Sequence, residues 1–393
     1  MRLTSSYPSI LNLGFRPFFT GAAITSVVSV LVWAGMYLFG WQPYAMVLPQ
    51  TVWHGHEMVY GYGMAVIAGF LLTAVKNWTG VPTITGLPLL LLFLLWLAGR
   101  LLIAAGNGGM LQAAAITDAL FGIGLVLAIL LPIVKVKQWQ HLGIVSKIVL
   151  LVASNLVFYA GVLDLLEDGA RMGLYSGIYL IIALIFVISR RVIPFFIEKG
   201  AGHPVQVRNR LWVDNASLVL FLGFWLADVL QPDTLLVAAL SATLLALHIL
   251  RLVDWHTPEI WSKPLLWVLY LGYGWLAAGF ALKVAVPVLG ISPLPALHAF
   301  AYGGIGMITL GMMSRVILGH TGRSVHEPPP VLFWMFAVLL LGAVFRVMLP
   351  ILDPARYVTW VGIAQMLWVT AFTLFLVIYL PMLARPRVDG APG

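Results

Sequence analysis

The stretch WHGHEMVYGYGMAVIAGFLLTAVKNWTG, residues 53–80, sets His54, His56 and Glu57 at the start of a long apolar run. Ionisable side chains inside an apolar run are costly and mark function, so two imidazoles and a carboxylate here point to metal ligation or proton transfer. Successive helical residues turn by about 100°, so His54 and His56 point about 200° apart and cannot chelate one ion together. They serve two sites, or one binds a metal while the other orients it. On the same helical count Glu57 lies on the face of His54, and Tyr60 lies on that of His56. His54, Glu57 and Tyr60 are therefore the candidate catalytic residues, with Glu57 as proton donor.

A second histidine stretch matches the first. With an offset of 242 residues, His56 meets His298, Tyr60 meets Tyr302, Gly61 meets Gly303, Gly69 meets Gly311, Thr79 meets Thr321 and Gly80 meets Gly322. The pattern relates residues 53–80 to 295–322 as an internal repeat, a common device in membrane folds. Imidazole is the usual axial ligand of b-type haem, which makes His56 and His298 a candidate pair. The chain has no cysteine, which excludes disulfides, iron–sulfur clusters, thiolate-bound haem and covalently attached haem. His248, inside an apolar run, and His320, in GHTGR, are candidates for a second haem or a substrate-site metal. Arg16, Arg100 and Arg315 suit bidentate pairing with carboxylates such as haem propionates, or else anchor the topology. The cofactor-binding set is thus His56, His298, His320, His248, Arg100, Arg315 and Arg16, and the metal set is His54, His56, His298 and His320. Asn155 and Tyr159 are polar in mid-run, and either line a proton or gas path or bond neighbouring helices.

These residues need elements to hold them. The chain is 61% hydrophobic and 9% charged, where a soluble domain carries about 25% charged residues. Its solvent is therefore lipid, and its formal charge of +8 reads as topology-setting loops and not as a nucleic-acid footprint. Apolar runs long enough for a ~30 Å hydrocarbon core predict an all-α polytopic membrane protein of about 12 helices. The spans fall near 18–40, 53–75, 86–106, 111–134, 142–166, 173–195, 211–230, 234–253, 264–288, 296–318, 331–351 and 357–382. No polar segment is long enough for a soluble domain, so residues 1–393 read as one integral membrane domain. The start does not read as a signal peptide. Placing the N-terminus in the cytoplasm puts 17 of the 22 lysines and arginines inside, so both termini are expected there. SRRVI at 189–193 echoes SRVI at 314–317, and the spacing of spans two, six and ten hints at three four-helix units. That is the topology of haem-copper oxidase catalytic subunits, where a haem lies between histidines of spans two and ten.

The motifs GFRPFF, WHGHEMVYGYGMAVIAGFLLTAVKNWTG, LAGR, RRVIPFF and MITLGMMSRVILGHTGR together resemble the NnrS family of bacterial membrane proteins, over about residues 12–383. The resemblance implies a bacterial inner-membrane protein with haem b, one or two, and copper, linked to denitrification and nitric oxide resistance. The family's histidine motifs fall on His54, His56, His298 and His320. Against copper, the sixth and seventh spans carry no histidine, whereas the oxidase copper site needs three there. The expected function is nitric oxide removal by reduction to nitrous oxide. With no soluble electron-transfer domain, the electrons come from quinol or a cytochrome-type donor. The alternatives are a nitric oxide sensor or electron carrier without turnover, and a 12-helix transporter.

Overall fold

The computed structural model describes residues 7–43 and 46–391. Among these residues there is no strand, and twelve helices are long and apolar enough to cross a membrane. They are α1 (Phe15–Phe39), α2 (Gln50–Thr79), α3 (Gly86–Ala105), α4 (Gly108–Lys135), α5 (Trp139–Val162), α6 (Gly169–Gly200), α7 (Leu211–Leu230), α8 (Leu235–Trp255), α9 (Pro264–Leu289), α10 (Leu294–His320), α11 (Val331–Leu352) and α12 (Pro354–Ala384). Each expected span has its helix. The helices run a few residues past the apolar stretches because backbone hydrogen bonding continues into the polar ends. The ends are closed locally. Asn107 accepts from the Met110 N–H at 3.0 Å and caps α4. At the end of α2, Gly80 takes the left-handed conformation at φ 69° while its N–H donates to the Lys76 carbonyl, a position that suits a residue without Cβ.

Two helices are not α-helical throughout. Glu57–Gly63 in α2 and Ala299–Gly306 in α10 are π-helical. Their first residues are 242 apart, the same offset that aligns His56 with His298. Each π segment starts on the residue after the histidine. Wider turns of this kind re-aim the side chains that follow, and they recur at functional sites.

The chain forms two compact units. The first takes the described residues up to Leu180, together with Met313–Ser324 and those from Phe372 on. In it α1 packs on α2, α3 on α4, and α4 on both α2 and α5. Lipid tails are as apolar as leucine, so close packing and buried polar contacts must hold such helices together. Small residues permit the approach. The α6 backbone at Gly173 lies against Ser154 and Phe158 of α5, and Gly69 of α2 lies against Phe18 and Phe19 of α1. The second unit takes Ile181–Met312 and Val325–Ala371. Here α7, α8 and α9 pack in sequence, and α9 and α11 both pack on the π segment of α10. Gly279 lies against Phe300, and Gly303 against Trp275.

Candidate functional site

In the first unit, His56 is fully buried at 0% exposure within a closed cluster of polar side chains. Arg100 of α3 donates through Nη2 to both oxygens of Asp118 of α4, each at 2.6 Å, and through Nη1 to Glu57 Oε1 at 2.7 Å. Asp118 Oδ2 also accepts from Asn155 Nδ2 at 3.1 Å and from the Tyr159 hydroxyl at 2.9 Å. Asn155 therefore turns its Oδ1 to His56 Nε2, 3.0 Å away, so Nε2 carries the hydrogen. His56 Nδ1 lies 3.3 Å from Glu57 Oε1 and 3.4 Å from Arg100 Nη1. The rings of Phe158, Tyr60 and Tyr159 close around the imidazole, with centroids 4.4 to 5.3 Å away.

This corrects one expectation. Straight α-helical counting put Glu57 on the face of His54, but Glu57 reaches the His56 cluster. It opens the π segment, where the turn widens and the phase changes. Tyr60 does lie against His56, but its hydroxyl donates to the Gly173 carbonyl at 2.6 Å, with Ser154 Oγ 3.0 Å away. His54 leaves the cluster and stacks on Trp33 of α1, ring centroids 4.0 Å apart and planes 8° from parallel.

The second unit holds the matching histidine in a different setting. His298 is half-buried. Its Nδ1 donates to the Leu294 carbonyl at 2.9 Å, and its Nε2 accepts from Arg346 Nη2 of α11 at 2.9 Å. The lone pair is thus on Nε2. Tyr302, four residues on as Tyr60 is from His56, donates to the Ala364 carbonyl of α12 at 2.9 Å. Position 299 is alanine where the first stretch has Glu57. The buried polar residue of α12 is Gln365, 4% exposed, and neither its oxygen nor its nitrogen has a hydrogen-bond partner.

The other candidates fall elsewhere. His248 is buried between Phe186 and Phe280, centroids at 4.3 and 5.5 Å. Its Nδ1 lies 2.8 Å from the Tyr273 hydroxyl, which accepts from Arg251, and Arg251 donates to Asp214 Oδ1 at 2.7 Å. Its Nε2 has no partner. His320 lies in the first unit, its ring 5.7 Å from that of Phe15 and its Nε2 3.5 Å from Asn77 Nδ2. Arg16 is fully buried and donates to the carbonyls of Leu383 and Arg385 at 2.7 and 2.8 Å, capping the end of α12, where a cation meets the negative end of the helix dipole. Arg315 is buried in the first unit.

Sequence reasoning named Arg100 but passed over most of its partners' roles. It counted Arg251, Lys283 and Arg346 only as topology-setting charges and passed over Gln365, Asp214, Tyr273 and Asp228, although Lys283 forms a buried pair with Asp228 at 2.7 Å. The available signal was a charged or polar side chain inside an apolar span. Among the described residues no three His, Cys, Asp or Glu side chains gather in a way that could hold a metal ion.

No curated protein matches the sequence. The family pattern described as NnrS protein matches residues 9–387, which carries all twelve helices, both π segments and both histidine settings. Such membership is consistent with a haem protein of the membrane connected with nitric oxide. The chain is a multi-pass membrane protein, and it belongs to the NnrS family.

Proposed function

We propose that this is a haem-b protein of the bacterial inner membrane, with both termini cytoplasmic, that binds nitric oxide and removes it. The reaction joins two molecules of nitric oxide with two electrons and two protons to give nitrous oxide and water. Quinol or a cytochrome donor supplies the electrons. Copper is left out, because no suitable group of ligands gathers among the described residues.

One observation carries the haem part of this reading, the hydrogen bonding of His298. An axial imidazole needs a lone pair on one nitrogen and a hydrogen bond that orients the other. His298 has both, with Nδ1–H held by the Leu294 carbonyl and the Nε2 lone pair facing Arg346. These residues fit the group. His298 would hold the iron through Nε2, and Arg346, released from that nitrogen, would meet a propionate. When bound, the haem supplies a ferrous centre that takes nitric oxide directly. The chain's own part is to orient the imidazole through Leu294 and to support the helix through Tyr302 and Ala364. His56 does not fit, because its Nε2 is a donor to Asn155 and its Nδ1 faces Glu57 and Arg100.

The test is a reduced-minus-oxidised absorption spectrum of the purified protein, followed by anaerobic nitric oxide with an electrode in the cell. A b-type spectrum with reductant-dependent loss of nitric oxide is the expected result. In His298→Ala the spectrum is lost or re-coordinated, while His56→Ala leaves the haem bands in place. A colourless wild-type protein would overturn the haem reading and leave the transporter. Binding without consumption would make the protein a sensor or electron carrier.

A further inference from the structure

Four cations gather at one end of the first unit. Arg16 stands at the start of α1, Lys76 lies in the last turn of α2, Arg323 follows the end of α10, and Arg387 follows the end of α12. All four belong to the first unit. Hydrogen bonds draw these chain ends together. Arg387 Nη1 donates to the His320 carbonyl at 3.0 Å, and the Val388 N–H donates to the Thr321 carbonyl at 3.1 Å. Asn77 beside Lys76 meets His320, and Arg16 holds the last carbonyls of α12. The charges acting on Arg16 are those of Arg387 and Arg323, and those acting on the His320 ring are Arg387, Lys76 and Arg16.

Their compensation is incomplete. A helix C-terminus carries about half a negative charge, which accounts for one cation anchored at each end but not for four on one spot. The ends of α2, α10 and α12 supply about −1.5, and the start of α1 takes back about +0.5. Asp389 adds one full negative charge, and it is held by Arg387 at 2.9 and 2.5 Å. About two positive charges are left over. Donors are left over as well. Arg16 is fully buried and its Nε has no partner. Arg323 makes one long contact, 3.4 Å to the carbonyl of the nearby Thr321. Among the described residues Lys76 has no hydrogen-bond or ion-pair partner. Lys76 and Arg323 are half-buried, so each has a side open to a ligand.

We propose that Lys76, Arg323, Arg387 and Arg16 form a binding site for a phosphate group. A phosphate monoester carries about −1.5 to −2 charges at neutral pH, which matches the surplus. Guanidinium forks suit its oxygens, and a lysine adds a point charge. Helix ends lie at the depth of lipid headgroups, where basic pockets between helices take anionic lipids. The phosphate comes from such a headgroup or from the free anion. The inference needs neither haem nor nitric oxide, so it fails or stands apart from the functional reading above.

The test uses the full chain, delipidated in a neutral detergent at fixed ionic strength. The thermal unfolding midpoint is followed against phosphatidic acid, phosphatidylcholine of the same acyl chains, and inorganic phosphate, and its concentration dependence gives the apparent affinity. Phosphatidic acid raises the midpoint and phosphatidylcholine does not. A rise with inorganic phosphate makes the free anion sufficient, whereas a rise with phosphatidic acid alone assigns the site to a lipid headgroup. In Lys76→Gln and in Arg323→Gln the affinity falls at least about tenfold, as expected when a hydrogen bond to a charged group is lost. Lys199→Gln, at the end of α6 and no part of the cluster, keeps the wild-type affinity. No rise with either phosphate probe, or an equal rise with phosphatidylcholine, would overturn the proposal. So would unchanged affinity in both cluster variants, or an equal loss in Lys199→Gln.

Discussion

His56 and His298 begin from the same local arrangement and end in opposite environments. Each stands at the mouth of a π-helical segment, each has a tyrosine four residues on, and each meets an arginine from the next helix. Around His56, α2 and α4 supply Glu57 and Asp118, and every polar atom of the imidazole is engaged at 0% exposure. In the His298 stretch, the residue that corresponds to Glu57 is Ala299, and the α12 carbonyl that Tyr302 meets, Ala364, is followed by the unpartnered Gln365. The lesson is that a shared backbone device leaves the chemistry open. Two carboxylates turn one histidine inward as part of a closed charge network. The other holds its Nδ1–H on a carbonyl and turns its Nε2 lone pair to an arginine.

The largest expected effect separates these settings outright. Asp118→Ala strips Arg100 of its bidentate partner in a buried site and should cost about 3–5 kcal/mol of stability, read from unfolding in detergent. A loss under about 1 kcal/mol would mean that the network is wetter than its burial implies.

Next come two glycines on the arginine-bearing helices. A Cβ at Gly99 would lie 2.1 Å from Asp118 Oδ1, and one at Gly342 would lie 1.9 Å from the Tyr302 hydroxyl. Overpacking of this kind costs about 1–3 kcal/mol, and Gly99→Ala should be the worse because Asp118 is held by three partners. Thermal unfolding of the two alanine variants side by side checks the order.

Gln365→Leu should be neutral or stabilise by about 1 kcal/mol, since it removes a buried carboxamide that has no partner. A clear destabilisation would mean that Gln365 holds a hydrogen-bond partner in the native protein.

The smallest effects lie outside the spans and depend on pH in opposite directions. In the first unit, hydrogen bonds from Arg387, chiefly, and from the Ala391 N–H hold the Asp389 carboxyl down at about 2, below its ordinary 3.8. Its contribution is full above about pH 3.8 and is lost as pH falls through about 2. In the second unit, the hydrogen bond to Glu259 raises His203 above 6.5, so that contribution is present below 6.5 and is lost as pH rises through the raised value. Glu259 is itself lowered from 4.5, first by its own backbone N–H and then by His203, so the pair is at its best between about 4.5 and 6.5. Each pair has one exposed and one half-buried member, so added salt should flatten both pH profiles.

Twelve spans, their order and the divergence of His54 from His56 were all legible in the sequence. Length and hydropathy are properties of single segments, and the ~100° step per residue holds until the helix changes type. The placement of Glu57 was not legible, because counting along a straight α-helix cannot see the π segment, whose Gly61 lies against Arg100 of α3. Asp118, Asn155 and Tyr159 were visible as polar residues in apolar runs. Their convergence on His56 was not, since α2, α3, α4 and α5 meet only in the folded unit. By itself the sequence determined an all-helical membrane protein with two related histidine stretches, because covering a chain this apolar requires lipid. Only the tertiary structure decided which histidine is enclosed by charge and which presents a lone pair, because hydrogen-bond partners are chosen across helices.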